Sequence, residues 1–188
     1  RITDVEYLPR GSRFVIDGES YEVPMVGEFN VRNAAMAVCS ARFAKLTPDE
    51  IRRGLLSFEG IARRQQERGE VNGITVVDDF AHHPTAIGLA IDGLRQKYPG
   101  RRLWVIFEPR SNTTRRSIFQ DDLATALKKA DLVVIPAIED PEKFPEEDRL
   151  DPEKLVADIS ADNGQAWYLG KVDEIVEHVA RMAQSGDV

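Results

Sequence analysis

The chain has 188 residues, 30% of them charged and 42% hydrophobic, with 25 Lys and Arg against 32 Asp and Glu and a formal charge of −7. One cysteine, Cys39, excludes an intramolecular disulfide and a multi-cysteine zinc site, and points to a reducing compartment, the cytoplasm. The longest apolar runs, Leu103–Phe107 and Leu132–Ile138, fall far short of the ~18 residues that span a bilayer, and the acidic total argues against nucleic acid as a partner.

Arg13–Ile16 and Ser20–Val23 flank Asp17-Gly18, a pair suited to the positive φ of a tight turn, so a hairpin opens the chain. Asn30 is placed to cap a helix running to about Lys45, with Ala34, Ala35, Ala37 and Ala41 allowing close packing. In Thr47-Pro48-Asp49-Glu50 the threonine can cap, the proline suits the first helical position and the glutamate can close a capping box, which predicts a helix from Pro48 to about Ser57. Gln65–Val71 and Ile74–Asp79 around Asn72-Gly73 predict a second hairpin.

From Ile74 onward strands and helices alternate. Candidate strands begin at Ile74, Leu103, Leu132 and Gln165, at separations of 29, 29 and 33 residues, close to the ~30 residues of a strand plus crossover helix. One connecting helix places Ile87, Ile91, Leu94 and Tyr98 on one face, and the last helix does the same with Val172, Ile175, Val176 and Val179. His178, beside that stripe, is expected in solvent, Arg116 is expected to be a helix-surface charge, and the acidic segment Glu139–Glu153, with its three prolines, reads as a solvated loop. The fold class is α/β, a Rossmann-like and mostly parallel sheet with flanking helices, preceded by a hairpin and a helix pair. The change of pattern near Glu59–Arg64 divides the chain into 1–61 and 62–188.

Ligands of a parallel sheet sit beyond the carboxyl ends of its strands. The first such end reads Val77-Asp78-Asp79-Phe80-Ala81-His82-His83-Pro84-Thr85, with two acids and two histidines just before a helix N-terminus whose free amides favour an anion. Taken singly, Asp78 and Asp79 read equally as turn caps; the cluster points to a site. The second end, Phe107-Glu108-Pro109-Arg110-Ser111-Asn112-Thr113-Thr114-Arg115-Arg116, offers hydroxyls, amides and three arginines that suit a carboxylate or phosphate. The third, Ile135-Pro136-Ala137-Ile138, forms a wall. A phospho-receiver reading fails because Pro136-Ala137, not an aspartate, ends the third strand, and a dinucleotide-binding reading fails for want of G-x-G-x-x-G. A metal-dependent phosphoesterase and an anion-binding α/β domain without chemistry stay open, although Ala81 interrupts the Asp-His-His pattern of the former.

The same segments carry a family resemblance. Val77–Thr85 resembles the start of the C-terminal domain of the Mur ligases that act on UDP-N-acetylmuramate. Gly27-Glu28-Phe29-Asn30-Val31-Arg32-Asn33-Ala34-Ala35 resembles the G-x-H-N-x-x-N-A segment near the end of their central domain, with Phe29 in place of the usual His, and Phe58-Glu59-Gly60-Ile61-Ala62-Arg63-Arg64 resembles their interdomain junction. The Phe107–Thr113 loop is more similar to that of the peptide-recycling branch than to the His-Arg-Tyr-like sequence of the L-alanine-adding branch. The resemblance implies an ATP- and Mg2+-dependent amide ligase. It would phosphorylate the muramate carboxylate of UDP-N-acetylmuramate, and the amine of an anionic tripeptide, L-alanyl-γ-D-glutamyl-meso-diaminopimelate, would then displace phosphate; the alternative is L-alanine as acceptor.

It also implies roles for residues. Asn30 and Asn33 match adenine-holding positions, although Asn30 reads equally as a helix cap. Arg64 matches a residue reaching ribose and phosphates, and Asp79 a ribose-binding acid. His82 and His83 would lie near the γ-phosphate and the incoming amine, and Arg110, Ser111, Asn112 and Arg115 are placed to bind the peptide's carboxylates. No metal-ligating residue is singled out. No G-x-x-x-x-G-K-[ST] phosphate loop occurs in these residues, and the first residue is Arg1, not methionine. Residues 1–61 are therefore expected to be the tail of a central ATP-binding domain and 62–188 the peptide-binding domain. The remaining N-terminal UDP-binding and central domains would belong to the same polypeptide, and this part alone is not expected to turn over.

Overall fold

The computed structural model describes residues 1–161 and 164–188. Three antiparallel strands open it: β1 (Ile2–Leu8), β2 (Gly11–Ile16) and β3 (Glu19–Val23), in that order across the sheet. Asp17 and Gly18 turn the β2–β3 hairpin with φ of 50° and 81°, as the dipeptide implied. Strand β1 was not expected from the sequence. Its residues are mostly exposed, so no inside–outside alternation marks it, and it bulges between Thr3 and Glu6.

Helices α1 (Glu28–Phe43) and α2 (Pro48–Leu56) cover this sheet. Phe14, Tyr21, Val31, Val38 and Ile51 form a core of their own beneath them. The capping box of α2 is present: Thr47 Oγ1 accepts from the Glu50 N–H and Glu50 Oε2 from the Thr47 N–H. Asn30, by contrast, is no cap. Gly27, at φ 108°, starts α1, and the buried Asn30 sits inside the first turn with Nδ2 donating to the Val26 carbonyl at 2.8 Å.

The second unit contains the hairpin β4 (Gln66–Val71) and β5 (Ile74–Asp78), turned by Asn72 and Gly73 at φ 53° and 78°. Then follow α3 (Pro84–Lys97), β6 (Trp104–Ile106), α4 (Gln120–Leu127), β7 (Leu132–Pro136), α5 (Pro152–Ser160), β8 (Gln165–Leu169) and α6 (Val172–Met182). β6, β7 and β8 pair in parallel, with Val105 opposite Val133 and Val133 opposite Ala166. Helices α3, α4 and α5 bury Ile87, Ile91, Leu123, Leu127, Leu155 and Ile159 against this sheet.

Several expectations need correction. The strand at Ile74 does not join the parallel ladder, because residues 186–188 lie between it and β6. The segment 139–153 is not all solvated loop: it forms two short 3-10 turns, buries Leu150 and gives its end to α5, capped by Asp151. On α6 the buried pair is Ile175 and His178, while Val172 and Val176 are exposed. His178 is only 9% exposed, its ring 4.5 Å from that of Trp167 and 6.3 Å from that of Trp104. Arg116 is likewise more than a surface charge on a helix: it precedes a 3-10 turn and its guanidinium lies 5.2 Å from the Phe144 ring.

Asp187 fixes the inserted tail. Its buried carboxylate accepts from Arg102 Nε (2.9 Å) and Nη2 (2.7 Å), from Trp104 Nε1 (2.9 Å) and from the Gln184 N–H (2.9 Å). Burial alone would raise its pKa, yet Arg102, Gln184 and Trp104 hold it below the ordinary carboxylate value. Asp187→Ala strands the Arg102 charge and is expected to cost about 2–3 kcal/mol, read as a lower urea midpoint. An unchanged midpoint would show that this carboxylate does not secure the sheet.

Burial, and then Arg181 beside it, hold the His178 imidazole below its ordinary pKa of 6.5. A histidine of depressed pKa takes up its proton less readily folded than unfolded, so its contribution is complete above the unfolded pKa and is lost as pH falls below it. The melting temperature is expected to drop between about pH 7.5 and about pH 5, and to drop less in His178→Phe, which keeps the ring packing without the titration. Parallel curves for the two proteins would contradict this.

Candidate functional site

β5 ends at Asp78, and the next five residues lead into α3. Asp79 organises them: Oδ1 accepts from the Ala81 N–H at 2.7 Å and Oδ2 from the Gln65 N–H at 2.9 Å. The carboxylate thus holds the β5–α3 turn to the segment that enters β4, while lining a cleft of about 460 Å3. His83 starts α3, its Nδ1 accepting from the Thr85 N–H at 3.3 Å and its ring edge-on to Phe119 at 4.8 Å. His82 Nδ1 lies 3.0 Å from the Phe80 carbonyl. A carbonyl only accepts, so Nδ1 carries a proton, and in the neutral ring Nε2 is left with a lone pair.

The cleft runs from α3 to β6. Arg63, Asp78, Asp79, Phe80, His82, Glu108 and Arg110 line its polar mouth. The Arg63 guanidinium lies 4.8 Å from the Phe80 ring and 3.6 Å from Asp78, and Arg64 approaches the same ring at 5.8 Å. Arg110 is exposed, with Glu108 at 3.9 Å as its ion-pair partner. The other predicted acceptor residues are engaged within their own loop. Ser111 Oγ pairs with Thr114 Oγ1 at 2.8 Å and accepts from the Thr114 N–H. Arg115 donates to Asn112 Oδ1 and to the Glu139 carbonyl, each at 3.1 Å, under the Phe144 ring.

A second cavity, of about 760 Å3, lies between β3, α1 and α2. Asn30, Asn33 and Arg64 line it together with Phe29, Glu50 and Phe58. The structure therefore brings together three of the four predicted nucleotide-binding residues and places the fourth, Asp79, in the neighbouring cleft. Asn33 and Arg64 are exposed and free to meet a ligand, whereas the Asn30 amide already holds Val26. Sequence reasoning missed Arg63 and Glu108 as cleft residues. Each adjoins a residue that was singled out, within the segments Arg63-Arg64 and Glu108-Pro109-Arg110. Among the described residues no three His, Cys, Asp or Glu side chains gather as a metal-ligand set, and no helix is long and apolar enough to cross a membrane.

Comparison with known proteins meets this geometry at the same residues. The family described as Mur ligase, glutamate ligase domain, matches residues 63–188. The UDP-N-acetylmuramate–L-alanyl-γ-D-glutamyl-meso-2,6-diaminoheptandioate ligase of Escherichia coli (strain K12) is 40% identical over 181 residues, 92% of this chain and 36% of its own length. The UDP-N-acetylmuramate–L-alanine ligase of Lactiplantibacillus plantarum is 39% identical over 115 residues, 61% of this chain and 26% of its own. Among solved structures, a murein peptide ligase from Psychrobacter arcticus superposes with a TM-score of 0.65 at 32% identity, covering 99% of this chain and 39% of that one. The chain spans little more than a third of the length of the relatives it matches. With the β5–α3 turn, the Arg110 loop and the parallel sheet all inside the matched region, the chain belongs to the Mur ligase family.

Proposed function

We propose that this chain is the acceptor-binding part of an ATP-dependent amide ligase that joins UDP-N-acetylmuramate to L-alanyl-γ-D-glutamyl-meso-diaminopimelate in the cytoplasm. The observation that carries the reading is the convergence of His82, Asp79 and Arg110 on one cleft at the strands' carboxyl ends, beside the cavity of Asn33 and Arg64. Over nine-tenths of the chain or more the tripeptide-ligase similarity runs at 40% identity and the L-alanine-ligase similarity at 31%, which favours the tripeptide over L-alanine as acceptor.

Bound ATP would supply the γ-phosphoryl group that turns the muramate carboxylate into an acyl phosphate, with ADP as the leaving group. The exposed Asn33 amide and Arg64 guanidinium suit the base and the ribose-phosphate part of such a ligand, and Asn30 shapes the cavity floor. Residues from the rest of the polypeptide would hold the phosphates and Mg2+, since these 188 residues carry no phosphate loop and no set of three metal-ligating side chains gathers among the described residues. In the acceptor cleft the exposed Arg110 pairs with a peptide carboxylate in place of its long contact to Glu108. His82, with Nε2 as acceptor, takes the proton that the attacking amine loses as the amide bond forms and phosphate leaves. His83 fixes the start of α3. Ser111, Asn112 and Arg115 hold the shape of the Arg110 loop and offer the acceptor their remaining hydrogen-bonding capacity.

We infer further that residues 1–61 close a central ATP-binding domain and that 62–188 form the C-terminal domain. Each part has its own buried cluster, and Gly60 at the join has φ 92° with open space around it. Phe43, 91% exposed, and the exposed Met36, Leu46, Leu56 and Ile61 form an apolar surface on the α1–α2 side. The remainder of the central domain covers it.

The test is phosphate release from ATP by the full-length protein with UDP-N-acetylmuramate, comparing the tripeptide with L-alanine. Turnover with the tripeptide is expected; turnover with L-alanine alone would overturn the acceptor assignment. In the same assay Arg110→Ala is expected to raise the KM for the tripeptide by about tenfold or more, the loss of one charge-assisted pair, and to leave the KM for ATP unchanged. Unaltered peptide kinetics would remove Arg110 from the acceptor site.

A further inference from the structure

Between Phe107 and Arg116 the only acid is Glu108, two residues before Arg110. Both side chains line the polar mouth of the cleft. Their charged groups stand 3.9 Å apart at side-chain exposures of 48% and 74%, and among the described residues neither takes part in a hydrogen bond. A charge-assisted N–H···O bond is about 2.7–2.9 Å long, and an exposed pair held further apart contributes little to stability. Pro109, with its fixed φ, keeps Glu108 in extended backbone, and alternate residues of an extended segment point the same way. The loop therefore presents a carboxylate and a guanidinium side by side. Neither is needed to hold its shape, which Ser111 with Thr114 and Arg115 with Asn112 and the Glu139 carbonyl maintain.

The β5 side of the cleft has a long pair of its own, Arg63 and Asp78 at 3.6 Å, but its surroundings differ. Arg63 is also held at the Phe80 ring, and Asp78 ends β5 four residues before His82, the base of the proposed reaction. The attacking amine arrives on that side, which leaves Glu108 and Arg110 for the far end of the acceptor. There the chemistry of the acceptor separates the two charges. The tripeptide has several carboxylates, and any of them suits Arg110. Its diaminopimelate, however, is joined through one of two amino groups, so a single ammonium remains besides the attacking amine, on the same carbon as a carboxylate. L-Alanine has no second ammonium, and a residue that binds one is where the two acceptors part.

We propose that Glu108 selects the acceptor: its carboxylate binds the distal ammonium of the tripeptide, while Arg110 binds the carboxylate on the same carbon. The long Glu108–Arg110 contact then gives way to two charge-assisted pairs with the ligand, whose own charges lie as close together as those of the loop. An acceptor whose far end carries a carboxylate without the ammonium brings its negative charge against Glu108, so the residue discriminates by repulsion as well as by attraction. The inference rests on the ligase reading and names the feature of the acceptor that the cleft distinguishes.

The test assays the full-length protein with ATP, UDP-N-acetylmuramate and either the tripeptide or its analogue carrying L-2-aminopimelate, which lacks only the distal amino group. The unaltered protein is expected to show a KM for the tripeptide about tenfold or more below that for the analogue, the loss of one charge-assisted pair. Glu108→Gln, which keeps the shape without the charge, is expected to raise the tripeptide KM by a similar factor and bring the two acceptors level, with the KM for ATP unmoved. Equal KM values for the two acceptors in the unaltered protein would overturn the proposal, as would a Glu108→Gln protein that keeps their difference or weakens both alike. Loss of the difference in Asp78→Asn but not in Glu108→Gln would also overturn it, by assigning the ammonium to the β5 side. No turnover of either acceptor by the unaltered protein would overturn the ligase reading, and this assignment with it.

Discussion

One buried carboxylate decides how the second half of the molecule is assembled. Asp187 binds the Arg102 side chain, Trp104 Nε1 and the Gln184 N–H, and its own carbonyl receives the Thr75 N–H and Arg101 Nη2. The hairpin and the parallel sheet share no hydrogen-bonded ladder, so this node and its neighbours are what align β5 with β6. The position of Asp79, His82 and His83 follows from that alignment, because all three lie just beyond the end of β5. Arg101 and Arg102 are structural residues: Arg102 neutralises an acid that would otherwise be buried at a cost of several kcal/mol, and Arg101 ties the backbone carbonyls of Gly186 and Asp187 to Thr75 Oγ1.

The distribution of charge separates structure from site. The chain is acidic overall, but Arg63 and Arg110 line its cleft, and Arg64 approaches the Phe80 ring there at 5.8 Å. Much of the compensating acid lies in residues 139–148, whose backbone is held against the Arg110 loop by bonds from Arg115 and Ser117. Exposed arginine thus stands at the mouth, on a loop stiffened from behind by carbonyls and by the Phe144 ring. The Phe80 ring attracts both guanidinium groups, Arg63 at 4.8 Å and Arg64 at 5.8 Å.

What the sequence made legible was local. Asp17-Gly18 and Asn72-Gly73 turn their hairpins because few other pairs accept positive φ at two successive positions, and Thr47–Glu50 caps its helix because both partners lie within one turn. The strand-end motifs sit where a parallel sheet puts its ligands. What escaped was whatever depended on distant partners. Nothing near Asp187 announces that a strand-like tail will enter between residues 73 and 104, and nothing near His178 announces two tryptophans from other strands. Asn30 carried the signature of a cap and of a base reader alike; Gly27, three residues earlier, starts the helix in its place, and the asparagine turns inward to Val26. For Ser111, Asn112 and Arg115 the residue types pointed to an anion, but only the folded loop shows how far they are committed to one another.

The junction between the two halves behaves as a joint with one loose and one locked side. Arg63 and Gln65 hold φ of 59° and 49°, conformations that cost non-glycine residues energy and persist only when fastened. The fastening is the Phe80 N–H on the Arg63 carbonyl and Asp79 on the Gln65 N–H. Gly60, three residues before Arg63, carries its positive φ with no such ties and no strain. Arg63 therefore belongs to the rim of the cleft, and Arg64, which lines the cavity of Asn30 and Asn33, is anchored through its neighbours on both sides to the turn that follows β5.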